Sequence, residues 1–419
     1  MKMIENPHTL SKVLFITGLL IFALILYSCS GNRKPLITIT KSTPYTYDYN
    51  TGSETHTVKL GFIGPISGFY SSEGTAARNA FQMAVDEANN SGRFPYFIEL
   101  IIADDRSSED AAAAETSRIL SDPLVVAVSG FWNSGPAAAA IPLFIEANVP
   151  LLIWGAIRET LTNEYNIPWI TRSAPTDKQE NIPLAAAVLD DMRYRNWFVV
   201  SDNSVYGMGN FDAFSRELYI RGITPIGTAL ITDNTSDINA VVERIRRSGA
   251  KAVYCGSTSS IASLLKLRLF EIGMTDILFC GISGIKTEDF MKIGEAAAEG
   301  TLVVSPGIIL NETIAGSRFI EAYNARGYTE PIGAYTPYAY EAALILLNAL
   351  SVCSEKPSPA EMANILIRSR TSGLMGTTTF NEIGQTTNIA AYLNVAQDGS
   401  WIPYQNSGYA ENTRSFGGR

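Results

Sequence analysis

From residue 57 onward, short apolar runs alternate with longer segments whose apolar positions recur every three or four residues. Residues 58–64 form an apolar run closed by Pro65 and predict a strand. Residues 74–90 carry Ala77, Ala80, Phe81, Ala84, Val85 and Ala88 at helical spacing. The unit repeats as strand 97–103, helix 108–120 stopped by Asp122-Pro123, strand 124–129, helix 136–147, and strands 149–154 and 167–172. After Pro175-Thr176 the alternation restarts. It predicts helix 177–192, strand 197–201, helix 209–219, strand 223–231, helix 237–248, strand 252–255, helix 259–272, and strands 277–280 and 301–305. Beyond Pro306 the pattern is mainly helical, at 315–326, 337–351 and 359–368. Strand-like stretches follow at 377–381 and 389–395, with a turn at 397–400.

Short buried strands alternating with helices predict parallel sheets covered on both faces. There are too many strands for one sheet, and the rhythm breaks near residue 175. Two α/β lobes are therefore expected. A length of 419 residues agrees with more than one domain.

The N-terminus follows another pattern. Lys2 and Lys12 precede residues 13–27, a 15-residue uncharged run. A membrane span needs ~20 apolar residues, so this run suits an export signal better. It ends in Leu26-Tyr27-Ser28-Cys29, which resembles a bacterial lipobox with Cys29 as the lipidated thiol. Tyr27 is bulkier than usual there, and an uncleaved signal anchor is the alternative. Residues 30–56 are polar and aperiodic and read as a tether, although Leu36-Ile37-Thr38-Ile39-Thr40 alternates like an extra strand.

Composition narrows the chemistry. With 46% hydrophobic and 17% charged residues, the body is a folded protein rather than a disordered one. A net charge of −9 argues against a nucleic-acid partner. The two histidines, His8 and His56, both precede the body. This excludes Ser-His-Asp and Cys-His catalysis and His-ligated metal there. There is no phosphate-cradling glycine loop and no nucleophile elbow. Asp104-Asp105 ends a strand with no evident acid/base partner, so an enzyme working through carboxylates alone is a remote alternative. Cys255 and Cys280 end equivalent strands. A disulfide between them is conceivable in an oxidising compartment, but two buried thiols suit parallel strands better. No cofactor or metal is expected.

Residues 60–68 (Leu-Gly-Phe-Ile-Gly-Pro-Ile-Ser-Gly), followed by Gly74 and the helix to Asn89, resemble the start of the leucine/isoleucine/valine-type solute-binding proteins. The likeness continues through Asp104-Asp105, Val128-Ser-Gly130, Val199-Val-Ser-Asp202 with Tyr206-Gly207, Tyr340-Glu-Ala-Ala343, Met375-Gly376 and Phe380-Asn381 before Gly384. It spans roughly residues 57–403. The resemblance implies the type I periplasmic binding protein fold: two Rossmann-like lobes joined by three hinge crossings, near Thr176, Pro306 and Ala390. Residues 1–28 would then be a lipoprotein signal peptide and 29–56 a tether. Lobe I would be 57–176 plus 307–390, lobe II 177–306 plus 391–405, and 406–419 a tail. The family implies no enzyme. It implies a lipid-anchored, extracytoplasmic protein that captures a small polar or amphipathic solute, an amino acid or related molecule, for the permease and ATPase subunits of an ABC importer. A ligand-sensing receptor subunit with the same fold is the alternative.

The resemblance also implies where ligand lies. Trp132-Asn133-Ser134-Gly135 matches the stretch that holds the ligand carboxylate, with Ser134 as the hydroxyl; a plain helix cap is its alternative role. Gly155-Ala156-Ile157 matches a second ligand stretch, where Ile157 replaces the usual Ser or Thr. Tyr206 matches a tyrosine that lies across the ligand. Ser283 stands where the amino-acid binders have the carboxylate that pairs with the ligand ammonium. Glu73, near the cleft mouth, is a candidate substitute anion or an ordinary first-turn helix acid. Tyr335 fills an apolar cleft position, and Tyr338 is a further candidate. Trp132, Tyr206 and Tyr335 together suggest an aromatic-walled pocket and a ligand other than an aliphatic amino acid.

Overall fold

Strand β1 (Thr57–Gly64) is buried along most of its length and stands between two parallel neighbours, β2 (Phe97–Asp104) and β3 (Val125–Gly130). A computed structural model describes residues 56–231 and 235–416. The signal at 1–28, Cys29, the tether up to residue 55 and the alternating stretch at 36–40 lie outside the described residues. With β4 (Leu151–Ile153) and β5 (Ile170–Arg172), the first sheet has the order β2-β1-β3-β4-β5, parallel throughout.

Helices α1 (Ser71–Asn90), α2 (Glu109–Leu120) and α3 (Ser134–Ala147) connect these strands. α1 leans closely on the chain leaving β1. A Cβ at Gly74 would overlap the Pro65 carbonyl oxygen, so glycine is required there.

The second sheet has the order β14-β13-β10-β9-β8-β6-β7. β6 (Trp197–Asp202), β7 (Gly227–Ile231), β8 (Ala252–Cys255), β9 (Leu278–Gly281) and β10 (Leu302–Pro306) run parallel. The hairpin of β13 (Ala391–Gln397) and β14 (Ser400–Pro403) extends it antiparallel. Its tight turn uses Asp398-Gly399, both at positive φ, the conformation that Asp-Gly supplies most readily.

Helices α4 (Asp177–Ala185), α5 (Val205–Ile220), α6 (Thr235–Ser248), α7 (Ser259–Glu271) and α8 (Glu288–Gly294) belong to this lobe. After β10 the chain returns to the first lobe with α9 (Ile314–Ala325), α10 (Thr336–Leu350), which packs on α1, and α11 (Pro359–Leu366). The small hairpin of β11 (Thr371–Gly373) and β12 (Gly376–Thr378) follows. The two α/β lobes expected from the pattern are both present. One buried apolar cluster runs through both, and each lobe has a further cluster of its own.

Several boundaries differ from expectation for local reasons. α5 starts four residues early because Ser204 caps it, its hydroxyl accepting from Gly207 N at 2.9 Å. β7 starts late because Ile223 N still caps α5, donating to Leu218 O at 2.9 Å. The predicted helix 177–192 is α4 continued by a π-helical stretch, Ala186–Asp191. Cys255 and Cys280 are free buried thiols. Among the described residues no helix is long and apolar enough to cross a membrane.

The lobes are connected three times: between β5 and α4, after β10, and before β13. These connections are fastened to one another. Buried Arg172 donates through Nε to Gln385 Oε1 at 2.7 Å, and Gln385 Nε2 donates to Ala174 O at 2.9 Å. Thr386 N donates to Arg172 O at 3.0 Å, and Gly307 N to Ala390 O at 2.7 Å.

Candidate functional site

The N-terminus of α3 opens on a cavity of about 550 Å³ between the lobes. Asn133 is the N-cap residue, but its side chain makes no cap hydrogen bond. Its Oδ1 instead accepts from Ser107 Oγ at 2.8 Å. Ser134 is thus the first helical residue and not the cap. Its Oγ accepts from Arg158 N at 3.3 Å. Pro136 has no N–H, which suits the first turn. The helix end therefore presents uncapped amides and a hydroxyl to the cavity, a setting that favours an anion.

Tyr206, on the first turn of α5, lines the same cavity from the other lobe. Its hydroxyl accepts from Gly284 N at 3.2 Å. The adjacent Ser283 Oγ lies 2.7 Å from Tyr335 Oη, which donates to Glu180 Oε1 at 2.7 Å. Glu180 Oε2 accepts from Ser283 N at 3.3 Å. Tyr335 precedes α10 in the first lobe, so this network crosses between the lobes. Burial pushes Glu180 up to about 7, against the pull of the Ser283 and Tyr335 hydrogen bonds. Burial and the nearby Glu180 also raise Tyr206 and Tyr335.

Further contacts join the lobes. Tyr70 Oη lies 2.6 Å from Thr258 Oγ1 and 2.8 Å from Ser260 Oγ, at the N-terminus of α7. Arg158 reaches Asp177 at 3.6 Å and Asp212 at 3.5 Å. Trp132 packs on Tyr70 with ring centroids 4.7 Å apart and the rings tilted by 34°, and its buried Nε1 has no hydrogen-bond partner among the described residues. Gly155 N and Ala156 N both donate to Phe131 O, at 3.1 and 2.8 Å. The Ala156 carbonyl accepts from Arg172 at 3.2 Å. Ile157 and Tyr338 are buried in the shared apolar cluster.

The structure thus brings Asn133, Ser134 and Tyr206 to one cavity, and joins Tyr206, Ser283 and Tyr335 in one network. Glu73 lines a different cavity, with Lys286. Sequence reasoning missed Tyr70 and Glu180. A signal for Glu180 existed: Asp177, Glu180 and Asn181 share a buried helix face with Leu184 and Ala185, so polar residues occupy core-stripe positions. Among the described residues no cluster of His, Cys, Asp or Glu could hold a metal ion.

Residues 57–400 match the protein family described as Periplasmic binding protein. The chain is 25% identical over 329 residues to Leu/Ile/Val-binding protein homolog 3 of Brucella melitensis, covering 78% of this chain and 88% of that one. It is 27% identical over 298 residues to an amino acid binding protein of Pseudomonas aeruginosa, covering 69% and 78%. The structure is similar to the substrate-binding protein LivJ from Streptococcus pneumoniae in complex with isoleucine. The TM-score is 0.74 at 23% identity, covering 83% of this chain and 98% of that one. It is equally similar, at TM-score 0.74 and 18% identity, to an R. palustris solute-binding protein in complex with 4-hydroxybenzoate, covering 83% and 95%.

Proposed function

The chain belongs to the periplasmic binding protein family, and from that premise we propose that it captures a carboxylate-bearing, amino-acid-type solute between its lobes for an ABC importer. As a member of that family it binds its solute and is not an enzyme, and it works outside the cytoplasm. In this reading Cys29 carries the lipid that holds it to the membrane. The loaded, closed form is what the permease recognises, and the ATPase subunits drive the import that follows.

The observation that carries the reading is the uncapped start of α3 facing Tyr206 across the 550 Å³ cavity. The amides and Ser134 Oγ receive the carboxylate, and Tyr206 closes over the solute from the second lobe. A solute touching both walls stabilises the closed arrangement by its differential affinity for it. Isoleucine and 4-hydroxybenzoate, the ligands of the two structural neighbours, share only the carboxylate end. This supports a fixed carboxylate site with variable surroundings. Ser283 cannot neutralise an ammonium, but Glu180 stands directly behind it. A buried ammonium needs such a partner.

The test is calorimetry with a panel of amino acids and aromatic carboxylates. Losing a hydrogen bond to a charged group costs about 1.5–3 kcal/mol, roughly ten- to a hundredfold in affinity. Ser134→Ala and Tyr206→Ala should each weaken the best binder by that factor while melting cooperatively. Unchanged affinity in both variants removes the assignment. Cys29→Ala should abolish incorporation of labelled palmitate; a variant that is labelled as well as wild type rules out Cys29 as the anchor.

A further inference from the structure

A second cavity, of about 450 Å³, also lies between the lobes and shares no lining residue with the one at Ser134. The first lobe contributes Glu73 and residues 331–334. The second contributes residues 286–288, Met291, Lys292 and the β13–β14 turn with Trp401.

Glu73 is the unusual group. An acid in the first turn of a helix ordinarily sits in solvent. Glu73 is 8% exposed and makes no hydrogen bond or ion pair among the described residues. Its carboxylate fits a notch that glycine leaves open, for a Cβ at Gly333 would overlap Glu73 Oε2. A buried carboxylate without a partner is costly. Burial accordingly pushes Glu73 up to about 7, although Lys286 pulls it down.

The cations facing this cavity are otherwise engaged. Lys286 Nζ lies 5.5 Å from the Tyr392 ring centroid and 3.5 Å from its hydroxyl. Lys292 pairs with Glu288 at 3.4 Å and Asp289 at 3.8 Å. The indole N–H of Trp401 is spent on Thr287 O at 3.1 Å, which leaves its ring as an apolar wall beside Ile332 and Met291. The unmet need in the cavity is a positively charged N–H donor on a short hydrocarbon stem.

We propose that this cavity binds an organic cation, with a primary ammonium or guanidinium group against Glu73 and its stem among Ile332, Met291 and Trp401. The proposal rests on the reading above only in treating the gap between the lobes as a binding cleft.

The test is calorimetry on the full chain in mild detergent, with cadaverine and agmatine as probes and pentanoate as the control of matched length. Both amines should bind and pentanoate should not. Glu73→Gln should weaken amine binding at least tenfold. Lys286→Met, which removes a competing positive charge, should tighten it several-fold. Gly333→Ala places a methyl in the carboxylate's notch and should weaken binding too, so the assignment does not depend on one variant folding. Amine binding that depends on Glu73 upholds the site even if no carboxylate solute binds at Ser134. Amines that do not bind, or that bind Glu73→Gln as well as wild type, overturn it, whatever the Ser134 cavity does.

Discussion

Glu180 should make the protein less stable as pH rises, and replacing it should remove its share of that dependence. The carboxyl is fully buried and its ordinary value of 4.5 is raised to about 7. At pH 5 the folded chain holds this proton while much of the unfolded chain has lost it. Stability from the neutral buried acid is therefore present at low pH and lost as pH climbs through about 7. Between pH 5 and pH 8 one such group removes roughly 2 kcal/mol. Glu73, Glu341 and Asp105 are also pushed up to about 7 by burial, so the wild-type slope is a sum over several acids. Glu180→Gln isolates one of them. The amide is neutral and nearly isosteric, can accept from Ser283 N and can donate to the Tyr335 hydroxyl. Urea unfolding of ligand-free wild type and variant at pH 5 and pH 8 measures the difference. The variant should lose roughly 2 kcal/mol less than wild type over that interval. If the two fall in parallel, Glu180 is ionised in the folded protein and the argument from burial fails.

Tyr70→Phe removes both hydroxyl contacts to Thr258 and Ser260 across the lobes, at about 0.5–1.5 kcal/mol each. The ligand-free variant should show a larger radius of gyration by small-angle scattering than wild type; an unchanged radius would mean these contacts do not hold the lobes together. Gly74→Ala should cost about 1–3 kcal/mol in chemical denaturation by forcing α1 away from Pro65, and a wild-type midpoint would contradict the close approach.

The lobes were legible because their strands are short, apolar and closed by turn residues, as in Val58–Gly64 and Ala252–Cys255. The pattern lost its grip where an element is short or capped by its neighbours. α8 escaped notice because seven residues span barely two turns, and its cap, Thr287, looks like any loop threonine. Tyr206 reads as a loop residue because glycines surround it, yet Ser204 and Asp202 fold that loop into the first turn of α5. At the site, the family likeness pointed to Ser134, Tyr206, Ser283 and Tyr335 one by one. What ties the last two together, beside Tyr206 on Gly284, is a contact from a helix 155 residues away in sequence, Glu180 to Tyr335. No local spacing encodes such a contact. Ser134 was ambiguous for the opposite reason. Whether a hydroxyl caps a helix or follows the cap turns on one residue of register, which Asn133 and Ser107 settle in three dimensions.

The fastening among the three connections limits how the lobes can move. The strand end at Arg172 is tied to Gln385 and Thr386, and the stretch that follows them is tied through Ala390 to Gly307. The third connection is thus the middle rail of a ladder whose outer rails are the first and second. Sliding or twisting one rail alone would break rungs, one of them made by a buried guanidinium. Bending all three together about a shared line breaks none. Opening then has a single degree of freedom, so the Tyr70 contact and the Tyr335–Glu180 network must part in concert, and solute entry should follow one relaxation rate rather than several.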